Sequence, residues 1–259
     1  MALRNKSLFN YDLTVTAQNQ FISFGTSPSE TPPSARTATL QLGFYSLTSL
    51  AAEIARALTS ADPLHVYTVT VNRNVAGGLE NRFTITSSFS YFSIYFGTGN
   101  PANPASLIGF NTADYTGSTS YTGSASAGTA FVPNLTLTNN QVTGFTYLPP
   151  WSMQKLQGQV NVSASGIKEA ITFTIMQFWQ VQFKYISEDS LITDWNPFVQ
   201  WLIQQRAIEF TPDITDPDTF FAGTLDDPSK GLEFNFTEML PNFPFNYSTP
   251  LMKFRLSNT

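Results

Sequence analysis

The sixteen residues Ile171–Ile186, ITFTIMQFWQVQFKYI, contain no glycine, no proline and no charge before Lys184. Odd positions carry Ile171, Phe173, Ile175, Trp179, Val181, Phe183 and Tyr185, with Gln177 as the polar exception. Even positions carry mostly Thr172, Thr174, Gln180, Gln182 and Lys184. A period of two is the mark of a β-strand with one face buried. At roughly 3.3 Å per residue, the segment predicts a strand, or a tight pair of strands, about 50 Å long. An ordinary strand runs about 5–6 residues. So long an element needs its edge covered, by closure of a sheet or by a neighbouring molecule.

The surface available for such covering is nearly neutral. Charged residues make up 12% of the 259, about half the usual share, whereas phenylalanine alone numbers 23. Serine, threonine, asparagine, glutamine and glycine must therefore build much of the exterior, and such a surface repels neighbouring copies weakly. A net charge of −5, with 13 basic residues spread along the chain, argues against a nucleic-acid partner. The absence of cysteine excludes disulfides, thiolate metal sites and thiol nucleophiles. The opening residues, MALRNKSLFNYDL, show no apolar signal core, and no apolar run approaches membrane-spanning length. Neither export by this route nor membrane insertion is expected.

Short strands are predicted at Tyr11–Ala17, Phe21–Phe24 and Thr37–Leu42, with a Pro- and Ser-rich loop at Ser27–Arg36. Leu47, Leu50, Ala51, Ile54, Ala57 and Leu58 then share one helical face, with Ser46 or Thr48 as the cap and Asp62-Pro63 as the stop. Strands follow at Val66–Val71, Arg82–Ser87 and Phe89–Phe96. Gly97–Pro150 differs, holding one charged residue, Asp114, among many small ones. It predicts an extended arm that orders against a neighbour, with Tyr115 and Tyr121 as contact residues. Beyond it come strands at Lys155–Ser163 and Ile171–Ile186 around a Ser165-Gly166 turn. A helix is predicted at Asn196–Arg206, with Pro197 in its first turn, and strands at Ala207–Thr211, Gly231–Thr237 and Leu251–Leu256. The fold class is thus mainly β with two short helices, in β-sandwich- or barrel-like modules with long hairpins. Its divisions are a strand–helix–hairpin module over 1–96, the arm over 97–150 and a C-terminal β module over 151–259.

Motifs that could carry chemistry are few. The single histidine, His65, beside Asp62, suits a structural or surface role better than a catalytic one. GTGNPA at Gly97–Ala102 fits the letters of a dinucleotide-binding loop, but its prolines favour a strand-ending turn. Asp213, Asp216, Asp218, Asp226 and Asp227 form an acidic loop whose spacing departs from a calcium-binding pattern. Sequons at Asn5, Asn134, Asn161, Asn235 and Asn246 would matter only in a eukaryotic secretory route. The stripe Phe173, Trp179, Phe183 and Tyr185 reads as core or subunit interface ahead of a sugar platform. No catalytic, metal-binding or cofactor-binding residue is assigned, and no cofactor is expected.

Several runs carry a resemblance. LQLGFYSLTSLAAEIARAL (Leu40–Leu58), YTVTVNRN, RFTIT, FGTG and LIGFNTADYTGSTSYTG (Leu107–Gly123) resemble modules of tailed-bacteriophage virion structural proteins. So do VNVSASGIKEA, QFKYISED, DWNPFVQWLIQQ, EFTPDITDPDTF and EMLPNFPFNYSTPLMKFRL (Glu238–Leu256). The resemblance covers about two thirds of the chain and implies a non-enzymatic virion component, assembled in the host cytoplasm. A tail or tail-tip (baseplate) ring is the leading placement, with copies of itself and other virion proteins as partners. Alternatives are a capsid-decorating or head–tail connecting protein, or a carbohydrate- or receptor-binding β module. On this reading Gln180 and Gln182, on the polar face of the long strand, join Tyr115 and Tyr121 as candidate interface residues.

Overall fold

The computed structural model describes residues 7–74, 80–133, 145–146, 155–162, 168–176, 178–183, 186–212, 216, 218–227, 232–240 and 243–257. The fold is mainly β with two helices. The chain begins with β1 (Leu8–Tyr11), β2 (Leu13–Val15), β3 (Phe21–Gly25), β4 (Arg36–Thr39) and β5 (Gly43–Tyr45), followed by helix α1 (Leu47–Ala61). Next come β6 (Tyr67–Asn74), β7 (Glu80–Ser87), β8 (Phe92–Tyr95), β9 (Asp114–Ser118), β10 (Ser120–Thr122) and β11 (Thr129–Phe131). The second half holds β12 (Phe145–Thr146), β13 (Lys155–Val162), β14 (Lys168–Met176), β15 (Phe178–Phe183), β16 (Ile186–Ser187) and helix α2 (Asn196–Ile203). It ends with β17 (Ile208–Thr211), β18 (Phe221–Leu225), β19 (Asn235–Leu240), β20 (Phe243–Ser248) and β21 (Met252–Leu256).

Two compact units divide the chain: Lys6–Val132 with Ala207–Ala222, and Pro133–Arg206 with Gly223–Asn258. The boundaries expected at 96 and 150 are thus replaced by one near 132, with residues 207–222 returning to the first unit. In that unit β10-β7-β6 form one antiparallel sheet, β4-β3-β8-β9 a second and β2-β5 a third, while β1 pairs with both β11 and β17. Helix α1 packs on β6 and β4 and buries Leu47, Leu50, Ile54 and Leu58 against Phe24, Phe83, Ile85 and Phe92. Its start is a reciprocal cap: the Ser46 hydroxyl accepts from Ser49 N–H at 3.1 Å, and Ser46 N–H donates to Ser49 Oγ at 2.8 Å. Its end is the expected one, because Asp62 precedes Pro63 and the helical conformation is disfavoured there. The expected strand Tyr11–Ala17 is broken near its start, where Asp12 takes φ +67° between β1 and β2.

The expected arm is corrected over residues 97–132, which belong to the first unit and are anchored in it by buried residues, although most of residues 111–120 is exposed. Ala105, Ile108 and Ala127 are fully buried, Phe110 is nearly so, and β9, β10 and β11 all pair with other strands. Small residues serve close backbone packing here. Ala125 N–H donates to Gly109 O at 2.9 Å, and Gly123 N–H to Phe83 O at 2.9 Å. Gly109 sits at φ +75°, and a Cβ there would collide with the Ala125 carbonyl. Low side-chain volume had suggested an exposed segment, whereas it permits one chain segment to lie directly on another. Residues 134–144 and 147–150 of the expected arm lie outside the described residues, as does the Ser165-Gly166 turn.

The long strand is also corrected. β14 ends at Met176 and β15 begins at Phe178, and the two take different partners. β14 pairs with β13 along its whole length, whereas β15 lies between β21 and β12. The alternation is interrupted at Met176-Gln177-Phe178, where the apolar residues take even positions and Gln177 an odd one, and it resumes with its original parity at Trp179. Within β15 the expected polarity holds: Trp179, Val181 and Phe183 are buried and Gln180 and Gln182 are half-buried, although Phe178 is buried too. In this second unit Trp179 stacks on Phe254 at 4.2 Å between ring centroids. Trp195 meets Phe183, Phe198 and Phe234 edge-on at 5.2, 6.2 and 5.8 Å. Helix α2 buries Phe198, Val199 and Leu202 on the expected face, after a π-helical turn over Leu191–Trp195 that the sequence reading missed. β5, β18 and β20 were missed as well.

Phe183 has no exposed surface and closes the Trp195 aromatic cluster. We expect Phe183→Ala to cost about 3–5 kcal/mol in chemical denaturation, the usual penalty for emptying a buried ring site. A loss below about 1 kcal/mol would show that β15 does not pack as described.

Candidate assembly surface

The sheet β10-β7-β6 presents one face to the core and one to solvent, set by three tripeptides of the same form: TVT at 68–70, TIT at 84–86 and SYT at 120–122. The middle residues Val69, Ile85 and Tyr121 point inward, and the outer residues align across the strands. Thr68 lies opposite Thr86, which lies opposite Ser120; Thr70 lies opposite Thr84, which lies opposite Thr122. Hydroxyls bridge the rows, Thr86 to Ser120 at 2.8 Å and Thr84 to Thr122 at 2.8 Å, and the Asn72 amide donates to Thr84 at 3.0 Å. Glu80 and Arg82 fall on the same face and pair with each other at 2.5 Å. The result is a hydroxylated, net-neutral β surface.

The four candidate interface residues sit elsewhere. Tyr121 is corrected to a core residue: its hydroxyl donates to Phe92 O at 2.7 Å and accepts from Ser118 N–H at 3.0 Å. Burial pushes its ionisation above the ordinary tyrosine value. Tyr115 packs edge-on against Phe110 at 5.2 Å and Tyr121 at 5.6 Å, and its hydroxyl accepts from Asn111 N–H at 3.2 Å. Gln180 lies opposite Lys253. Gln182 donates to Thr249 O at 3.1 Å, so its amide already has a use within the second unit. The three T/S-x-T tripeptides become one array only when β10 returns to β7, a pairing that no local pattern in the sequence encodes.

Asp62 has no exposed surface, and its carboxylate meets Arg36 at 2.5 Å, His65 Nδ1 at 2.5 Å and the Tyr67 hydroxyl at 2.8 Å. Burial works to raise its pKa, but the His65 and Tyr67 hydrogen bonds and the Arg36 charge outweigh it and hold the group below the usual carboxylate value. The cluster ties the end of α1 to β4 and β6, and His65 serves there as a packed partner, its ring 4.4 Å from that of Phe89.

Gly97 N–H and Thr98 N–H both donate to Asp114 Oδ1, at 2.8 and 3.0 Å, so a carboxylate of the chain itself fills the nest formed by the GTG turn. In the acidic loop Asp216 accepts from the Thr219 hydroxyl at 2.8 Å, and Asp226 pairs with Lys253 at 2.9 Å; Asp213 lies outside the described residues. Beside the GTG turn an open, neutral cleft of about 480 Å³ is lined by Ser23, Pro32, Pro33, Thr37, Thr98 and Asn100.

A depressed carboxylate pKa contributes stability above the unfolded value of about 3.9 and loses it as pH falls through the folded value. Asp62→Asn is therefore expected to lower stability by about 2 kcal/mol at pH 7, the scale of hydrogen bonds to a buried charge. Denaturant midpoints of the two proteins should converge as pH falls below about 4; a gap independent of pH would overturn the assignment. The chain matches no known protein-family model and no curated protein.

Proposed function

We propose that this chain is a non-enzymatic structural component of a tailed-phage virion, most consistent with a tail or tail-tip ring protein that assembles with copies of itself through its β surfaces. The observation that carries the reading is the neutral face of β10-β7-β6, whose exposed Thr68, Thr70, Asn72, Ser120 and Thr122 offer hydroxyl and amide groups but no net charge. A partner covering such a face strips water from groups that can be re-paired by hydrogen bonds, and the Glu80–Arg82 pair on it carries no net charge. The low charge of the whole chain and the resemblance of its runs to virion proteins point the same way.

The neutral cleft at Ser23, Thr37, Thr98 and Asn100 favours a second reading, a carbohydrate- or receptor-binding β module. Hydroxyl and amide groups beside two proline rings suit a polyhydroxylated ligand, which needs hydrogen bonds without charge and an apolar surface for its ring.

Sedimentation of the purified chain at tens of micromolar, followed by electron microscopy, tests the first reading. Discrete oligomers or closed rings are expected, and a clean monomer would count against self-assembly. Calorimetric titration of the same protein with neutral oligosaccharides tests the second. Saturable heat that Asn100→Ala abolishes would move the assignment to carbohydrate binding, whereas absence of heat would remove that reading.

A further inference from the structure

β6 is the outermost strand of its sheet, and among the described residues no strand pairs with its far side. It runs eight residues, YTVTVNRN, without proline, lysine or a bulge, the usual devices that protect an exposed edge. Among the described residues no hydrogen bond reaches its outward backbone groups. Thr68, Thr70 and Asn72 on its outer face are exposed. Its own charge is already neutralised: Arg73 is paired with Glu209 at 2.7 Å.

We propose that this edge is a homotypic seam, at which β6 of a second copy adds antiparallel about a two-fold axis through Thr70. The proposal rests on the self-assembly reading above and names the strand and register that serve it. The two-fold sets Thr70 opposite Thr70, Thr68 opposite Asn72, Val69 opposite Val71 and Tyr67 opposite Arg73. No like charges face each other, and the single cation lies beside a tyrosine. The hydroxyl rows that already cross β10, β7 and β6 continue over the seam as Thr–Asn and Thr–Thr pairs, which are favourable cross-strand neighbours. A second copy fits better than a charged or apolar partner, because the exposed side of the edge offers neither an unpaired charge nor an apolar row. Moving the axis to Val71 would place Arg73 opposite Val69 instead.

The chain has no cysteine, so a single introduced thiol reports on the seam without background. Directly opposed residues in an antiparallel pair have Cα atoms about 4.5–5.5 Å apart, within the range a disulfide spans. Under mild oxidation, Thr70→Cys is expected to convert to a disulfide dimer. Thr68→Cys and Asn72→Cys should each stay monomeric on a non-reducing gel when alone, but cross-link when mixed. Thr84→Cys, on the same face one strand inward, should not cross-link. Circular dichroism checks that each variant is folded.

Oligomers in sedimentation without the Thr70→Cys dimer would overturn the seam and leave self-assembly standing. Monomers in sedimentation together with no cross-link would overturn both. Cross-linking of Thr84→Cys to the same extent as Thr70→Cys would mean random collision, and cross-linking of Thr68→Cys with itself would mean a different register; either result overturns the proposal.

Discussion

The first unit is organised around one buried carboxylate, Glu209. It has no exposed surface, and it arrives on β17, far along the chain from the elements it joins. Its oxygens accept from Arg73 Nε at 2.7 Å, the Thr48 hydroxyl at 2.9 Å and Thr48 N–H at 3.3 Å. Helix α1 has no acidic residue in its own first turn, so the charge that favours a helix N-terminus is supplied by another strand. Arg73 in turn lies over the Phe220 ring at 3.7 Å and donates to the Thr48 hydroxyl at 2.9 Å. A carboxylate taken out of water is tolerated only when its partners are all in place. This cluster therefore locks the start of α1, the end of β6 and the returning segment 207–222 into one arrangement.

The same sparing use of charge shapes the exterior. Most charged side chains with described partners are spent on internal pairs: Asp62 with Arg36, Glu53 with Arg56, Glu80 with Arg82, Asp226 with Lys253. What remains on the outer face of β10-β7-β6 is hydroxyl and amide. Such a face has little electrostatic defence against other copies, and the unprotected β6 edge has no steric one. Both features leave the face and the edge open to pairing, which is what the proposed self-assembly would use.

Much of the architecture could be read from the letters. The apolar spacing from Leu47 to Leu58, with Ser46 before it and Asp62-Pro63 after it, determined α1, because capping and proline act within a few residues. Alternation within β6, β7 and β15 determined which side chains face inward, because strand geometry is local. The face of α2 followed in the same way from Trp195, Phe198, Val199 and Leu202.

Tertiary structure alone decided the rest. The composition of residues 97–132 is compatible with a free arm or with a segment anchored in the unit, and the anchoring comes from backbone contacts such as Ala125 to Gly109, which no local pattern encodes. The interruption at Met176-Gln177-Phe178 is visible in the sequence, but the separate partners of β14 and β15 are not. The three tripeptides TVT, TIT and SYT were equally plain as letters. They became one surface only through strand order and register, which depend on contacts between residues far apart in the chain. The sequence by itself thus determined both helices, several of the strands and their inward faces. Which faces and edges stayed uncovered was decided by long-range pairing, because a strand's free edge exists only relative to the strands that occupy the other side.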